Sequence, residues 1–166
     1  MHLASFLHGV TDRYTWQGPG SSYVLSDLLA AVLWAQLAQR QAIQSRRRRL
    51  WARYHAGLTG WARRSGAAVP SVPVHCEPSY HLFYLVMETT RQRDALIAYL
   101  ARRRIQAVFH YVPLHLSPQG RRLGGRRGQL PVTESVAGRL LRLPFHLALS
   151  RLDQDRVITA VQQFPS

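Results

Sequence analysis

A helical hydrophobic period runs almost unbroken from Ser26 to about Trp61, and it constrains the fold more than any other feature. Ser26 is a good N-cap, and Asp27 suits the positive end of a helix dipole. Leu29, Val32, Leu33 and Leu37 then recur at helical spacing, with Ala30 and Ala31 allowing close approach. Ile43, Arg47, Leu50, Tyr54 and Leu58 carry the period on. Such a run is long for one globular helix, so a bend near Arg40 is expected. Arg46, Arg47, Arg48 and Arg49 lie inside it. Consecutive residues cover every side of a helix, so part of this cluster must lie beside the core stripe with its stems over apolar surface.

The rest of the 166-residue chain must cover that helix. Residues 65–78 read as a linker punctuated by Pro70, Pro73 and Pro78. His81 to Met87 reads as a buried strand rich in aromatics. Thr90 can cap a helix from Arg91 to about Arg103, with Leu96, Ile97 and Leu100 as its core stripe. From Ile105 the pattern alternates: Ile105, Ala107, Phe109 and Tyr111 face one way, and Pro113 ends the strand. Ser117 to Gly128 is a Gly/Arg loop whose composition predicts mobility. Thr133-Glu134 begins a short helix to about Leu140, and Arg142 to Phe145 is a short extended piece. Ser150 to Asp153 is a capping-box variant that opens a last helix, with Val157, Ile158, Val161 and Phe164 inward. The order predicts an α+β layer fold: helices on one face of a short, mostly antiparallel sheet.

Charge narrows the chemistry. There are 22 basic residues against 8 acidic ones, a formal +14, and every basic residue is arginine. With no lysine, this chain cannot supply a Schiff-base, P-loop or general-base lysine. Cys76 is the only cysteine, which excludes an intrachain disulfide and a cysteine zinc cluster. The apolar run Leu28 to Leu37 is too short to span a bilayer, and Met1 to His8 lacks a signal-peptide pattern. A cytoplasmic location and no membrane partner are therefore expected. The arginines are spread along the whole chain rather than gathered with aromatics, so nucleic acid is not the expected partner.

Two polar clusters can carry chemistry. In Phe109-His110-Tyr111-Val112-Pro113-Leu114-His115, a strand ending in proline is flanked by two histidines and a tyrosine, groups that donate to anionic or hydroxylated ligands. His110 and Tyr111 cannot both face the core of a regular strand. His110 and His115 have no good third metal-ligand partner in the sequence, and two structural histidines beside a turn are the competing reading. The second cluster is Gly18-Pro19-Gly20-Ser21-Ser22-Tyr23, ahead of the Ser26 cap. A Gly-Ser loop feeding a helix can present N–H groups and hydroxyls to a phosphate, although such loops are common connectors.

Several segments, in order, resemble the DegT/DnrJ/StrS family of sugar aminotransferases. They are Tyr14-Thr15-Trp16, Gly20-Ser21-Ser22-Tyr23, Ser26-Asp27 and Leu33-Trp34-Ala35-Gln36-Leu37, then Val108 to His115 with Ser117-Pro118, Thr133-Glu134-Ser135 and Leu140 to Pro144. These are pyridoxal-phosphate (PLP) enzymes of the aspartate aminotransferase fold. The branch resembled forms dTDP-4-amino-4,6-dideoxygalactose for enterobacterial common antigen and related surface polysaccharides. The resemblance covers only the C-terminal half of the family. It implies a remnant of the large domain or interface loop over residues 1–25, a long interdomain helical segment over 26–64, and a small C-terminal domain over 65–166. It implies that Ser22, with Ser21 and Tyr23, reaches the PLP phosphate across a dimer, and that His110, Tyr111 and His115 border the sugar-nucleotide pocket. Arginines near that edge can pair with a diphosphate. The implied reaction is amino transfer from glutamate to a dTDP-4-keto-6-deoxy sugar.

The family's PLP-binding aspartate, ring-stacking aromatic and lysine all precede the position of Tyr14. The chain alone is therefore expected to be inactive, with no catalytic residue and no covalently held cofactor. Its implied partner is the missing N-terminal half or an intact aminotransferase subunit, within a homo-oligomer. Without the large domain, exposed apolar surface should favour self-association. The competing class is a non-catalytic interaction or dimerisation module, or an Arg-rich nucleic-acid binder.

Overall fold

The computed structural model describes residues 18–20 and 25–165. They fall into two compact units: residues 25–109 with 139–165, and residues 18–20 with 110–138. In the larger unit, helix α1 (Asp27–Ala38) starts at Ser26, whose hydroxyl accepts the Leu29 N–H at 3.4 Å. Helix α2 (Arg40–Arg64) follows after a single residue. The break is at Gln39, whose N–H turns back to the Gln36 and Leu37 carbonyls, so the expected bend near Arg40 is present. Gly66, at φ 67°, closes α2: the Ala67 N–H reaches the Ala62 carbonyl at 3.0 Å, a Schellman ending.

The sheet has three strands, β1 (Tyr84–Val86), β2 (Val108–Phe109) and β3 (Leu140–Arg142), in the order β1-β3-β2 with both pairings antiparallel. Leu85 lies opposite Leu141, and Phe109 lies opposite Leu141 on the other side. The expected α+β layer architecture is therefore present, but the strands are shorter than the apolar runs that predicted them. The run from Ile105 illustrates the reason. The Ala107 N–H bonds back to the Ile105 carbonyl at 3.2 Å, so the chain turns before it extends. Ile105 and Ala107 are buried, but the phase then shifts and Phe109 is exposed.

Helix α3 (Thr90–Arg102) is capped one residue earlier than expected. Thr89 accepts the Gln92 N–H at 3.1 Å, and Gln92 Oε1 accepts the Thr89 N–H at 3.1 Å, a reciprocal box that Thr90 could not form. Helix α6 (Arg151–Gln162) begins at Ser150, as the sequence predicts.

The core joins Tyr54, Leu58 and Trp61 of α2, Leu96 and Leu100 of α3, and Val157 and Val161 of α6 to Phe83, Leu85, Met87 and Leu141 from the sheet region. Polar anchors tie α2 to distant segments. The Tyr54 hydroxyl donates to the Pro144 carbonyl at 2.9 Å, and burial pushes its phenol pKa upward. Gln154 Nε2 donates to the Leu50 carbonyl at 2.6 Å. Arg46 is half-buried and donates to the Leu149 carbonyl at 2.8 Å, which places one member of the arginine run beside the core. Leu58 is fully buried, so Leu58→Ala is expected to cost about 2–5 kcal/mol in urea unfolding. A cost under about 1 kcal/mol would mean the core is not packed as described.

Helix α1 behaves differently. It buries no residue, and Leu28 and Trp34 are 82% and 76% exposed. Leu29, Val32, Leu33 and Leu37 are exposed as well. A helix that is apolar on all sides belongs inside a larger core. Among the described residues, no helix is long and apolar enough to cross a membrane.

In the smaller unit, a single 3-10 turn (Leu114–Leu116) leads into helix α4 (Pro118–Arg122), and helix α5 (Pro131–Arg139) leads out of it. The expected loop from Ser117 is thus partly helical. Ser117 caps α4 by accepting the Gly120 N–H at 3.0 Å while donating to the Leu114 carbonyl at 2.7 Å, and Pro118 suits the first helical position.

Candidate functional site

Of the residues expected to touch ligands, Ser21, Ser22 and Tyr23 lie outside the described residues. The other three, His110, Tyr111 and His115, belong to the smaller unit. His110 and Tyr111 have ring centroids 5.1 Å apart with planes tilted by 56°. Tyr111 is exposed and His110 is half-buried, which resolves the conflict between their expected directions.

His115 is held by Glu134, a residue whose local sequence marks only the start of a helix. His115 Nε2 lies 2.9 Å from Glu134 Oε1, and both side chains are largely buried. The same carboxylate accepts the Gly128 N–H on both oxygens, at 2.9 and 3.0 Å, and the Leu130 N–H at 3.3 Å. The hydrogen bond from His115 and then that from Gly128 hold the Glu134 carboxyl below its ordinary range. An ionised carboxylate only accepts, so His115 Nε2 carries the proton and donates it. Glu134 therefore fixes the imidazole and the loop at residues 128–130 together. Nineteen positions separate Glu134 from His115, and no local pattern links them.

Two glycines shape the same unit by absence of a side chain. A Cβ on Gly120 would meet the Leu114 carbonyl oxygen at 1.9 Å, and one on Gly125 would meet the His115 carbonyl oxygen at 2.1 Å. The backbone carrying His115 is thus packed directly against glycine backbone. Arg121, Arg122, Arg126 and Arg127 are exposed on the adjoining segment, so the unit presents positive charge close in sequence to His115. Among the described residues, no three His, Cys, Asp or Glu side chains come together as a metal site.

Comparison with known proteins bears on the whole chain. Residues 2–162 match the DegT/DnrJ/EryC1/StrS aminotransferase family. The chain is 35% identical over 158 residues to dTDP-3-amino-3,4,6-trideoxy-alpha-D-glucose transaminase of Streptomyces venezuelae, covering 95% of this chain and 40% of that protein. It is 33% identical over 156 residues to the erythromycin biosynthesis sensory transduction protein EryC1 of Saccharopolyspora erythraea, covering 93% of this chain and 41% of that protein. Among solved structures, DesV of S. venezuelae, in complex with a ketimine intermediate, superposes with a TM-score of 0.76 at 35% identity, over 92% of this chain and 40% of that one. The aminotransferase TlmJ of Streptoalloteichus hindustanus superposes with a TM-score of 0.71 at 32% identity, over 84% of this chain and 36% of that one. The chain thus spans about 40% of the length of the curated relatives it matches.

Proposed function

The chain belongs to the DegT/DnrJ/EryC1/StrS aminotransferase family, and from that premise we propose that it is the C-terminal part of a PLP-dependent sugar-nucleotide aminotransferase, inactive alone. The observation that carries this reading is α1. Its exposed Leu28, Leu29, Leu33 and Trp34 form a surface that a missing N-terminal part or an intact aminotransferase subunit would cover, within a homo-oligomer.

The chain has no lysine, and its candidate phosphate contacts, Ser21, Ser22 and Tyr23, lie outside the described residues. Without a lysine, it supplies no Schiff-base link to PLP. In the complete enzyme PLP would supply the electron sink for amino transfer, and Ser22 would donate to its phosphate. His115, clamped by Glu134, would present a fixed imidazole edge to the sugar nucleotide, with Tyr111 and His110 beside it. The exposed Arg121, Arg122, Arg126 and Arg127 suit its diphosphate.

The amino acceptor is a dTDP-linked keto-deoxy sugar. The motif resemblance favours the 4-keto-6-deoxy isomer with glutamate as donor, and the name of the S. venezuelae relative favours amination at carbon 3. Both isomers belong in the assay. The purified chain, mixed with PLP and gel-filtered, is expected to retain no cofactor absorbance and to transfer no amino group to either sugar. Co-expression with the lysine-bearing N-terminal half of the S. venezuelae relative is expected to yield a PLP-loaded complex that does. Activity from the chain alone overturns the incomplete-enzyme reading. A complex that forms and holds PLP but never turns over overturns the catalytic one and favours a non-catalytic interaction module.

A further inference from the structure

In the larger unit, the loop after α3 and one side of α6 border two adjoining open grooves of about 590 and 320 Å³. Ile105 and Arg156 line both, so the two grooves meet at these residues. The larger is floored by Ile105, Leu152 and Ala160 and is mainly apolar, while Arg104, Gln106 and His146 line the smaller. Its volume is that of an ordinary small-ligand pocket.

Arg104 is the unusual residue. It has φ 58°, a left-handed conformation. The Arg104 N–H bonds to the Ala101 carbonyl at 2.9 Å and the Ile105 N–H to the Leu100 carbonyl at 3.0 Å, a full Schellman ending at whose left-handed position glycine is the favoured residue. A side chain there is strained, and strain of this kind persists where the surrounding structure or a function requires it.

The simplest competing reading is that an arginine at a helix C-terminus answers the helix dipole. That role is already filled. Arg102 lies in the last turn, and the Arg103 guanidinium lies 3.5 Å from the Tyr99 ring centroid and donates to the Tyr99 carbonyl. Arg104 has no hydrogen-bond or ion-pair partner for its guanidinium among the described residues.

The acids along the grooves are engaged. Asp155 is paired with Arg53, and Asp153 accepts the Ser150 hydroxyl at 2.6 Å. Arg156 donates to the Arg103 carbonyl through one nitrogen, which leaves the rest of its fork for a ligand. An arginine fork beside an apolar floor matches a ligand with a flat ring at one end and a phosphate at the other.

We propose that these grooves form one binding site for a nucleoside phosphate, with the apolar floor under the base and Arg104 and Arg156 on the phosphate. The site is independent of the transaminase reading, because every residue it uses lies in this chain and none is a proposed cofactor or sugar contact.

ADP titrated into the full chain by calorimetry at physiological salt is the test. Saturable one-site binding is expected, with inorganic phosphate competing weakly. Arg104→Gly and Arg156→Ala are each expected to weaken ADP by about tenfold or more. Arg63→Ala, which removes an exposed charge on α2, is expected to leave it unchanged. Arg104→Gly has a second signature. By relieving the left-handed side chain it should raise the thermal midpoint by roughly 2–4 °C while lowering affinity. Absence of saturable ADP binding overturns the proposal. So does an Arg63→Ala effect equal to that of Arg104→Gly, which would reveal bulk charge alone. Loss of affinity in Arg104→Gly together with a fall in midpoint would make Arg104 structural and would also overturn it.

Discussion

Gly120→Ala is expected to break the smaller unit while leaving the main core folded. The added Cβ would lie 1.9 Å from the Leu114 carbonyl oxygen and 2.9 Å from the His115 Cα, both backbone atoms. A flexible side chain could swing away, but backbone held by the Ser117 cap cannot. The cost is expected to be about 3 kcal/mol or more, at the upper end for overpacking. Hydrogen exchange reads it locally. The Leu123 and Gly125 amides, which bond to the Gln119 and Gly120 carbonyls, should lose protection, whereas the amides of α3 should keep it. Gly128→Ala is the control. Gly128 has φ 84° but open space where its Cβ would go, so only the backbone preference is lost, about 1 kcal/mol. Equal losses in the two variants would show that the close approach at Gly120 does not exist.

Glu134→Gln is expected to release His115 and the loop at residues 128–130 together. The variant keeps the shape of the side chain but removes the charge that gathers three donors. In the wild type, Glu134 has a carboxyl pKa depressed below its ordinary value of 4.5, by the His115 hydrogen bond first and the Gly128 N–H second. A depressed carboxyl stabilises the folded state above its unfolded value, and that stabilisation is lost as pH falls through the folded value. Protection of the Gly128 amide should therefore hold above about pH 4.5 and collapse on further acidification. In Glu134→Gln it should be low throughout, with no such step. An identical acid profile in both proteins would rule out the clamp. The Arg53–Asp155 pair acts in the same sense in the larger unit, where Arg53 lowers the Asp155 carboxyl, so the larger unit also loses support on the acid side.

Local chemistry explains which parts of the fold were readable in advance. Ser26 and Ser150 cap the helices they were expected to cap, and Val157, Ile158 and Val161 face inward, because caps and helical periods act within a turn or two of sequence. The break at Gln39 was foreseeable from helix length alone. Strand ends were not, since they depend on a partner strand far away: β2 extends only where β3 meets it. The candidate site was less legible still. His110, Tyr111 and His115 stood out by residue type, but the Glu134 clamp needs residues from two separate elements. Gly120 and Gly125 carried the composition of a mobile loop while serving as points of backbone contact. Arg104 was hidden inside a run of three arginines, because a dihedral angle leaves no mark on composition.

The uncovered helix α1 has a calorimetric consequence. The heat-capacity increment of unfolding measures apolar surface newly wetted, and α1 is already wet when folded. Its 12 residues would otherwise contribute about 0.15 kcal/mol/K. The chain should therefore melt with the thermal signature of a shorter protein, and recover the missing increment only when something dry is laid against Leu28 and Trp34.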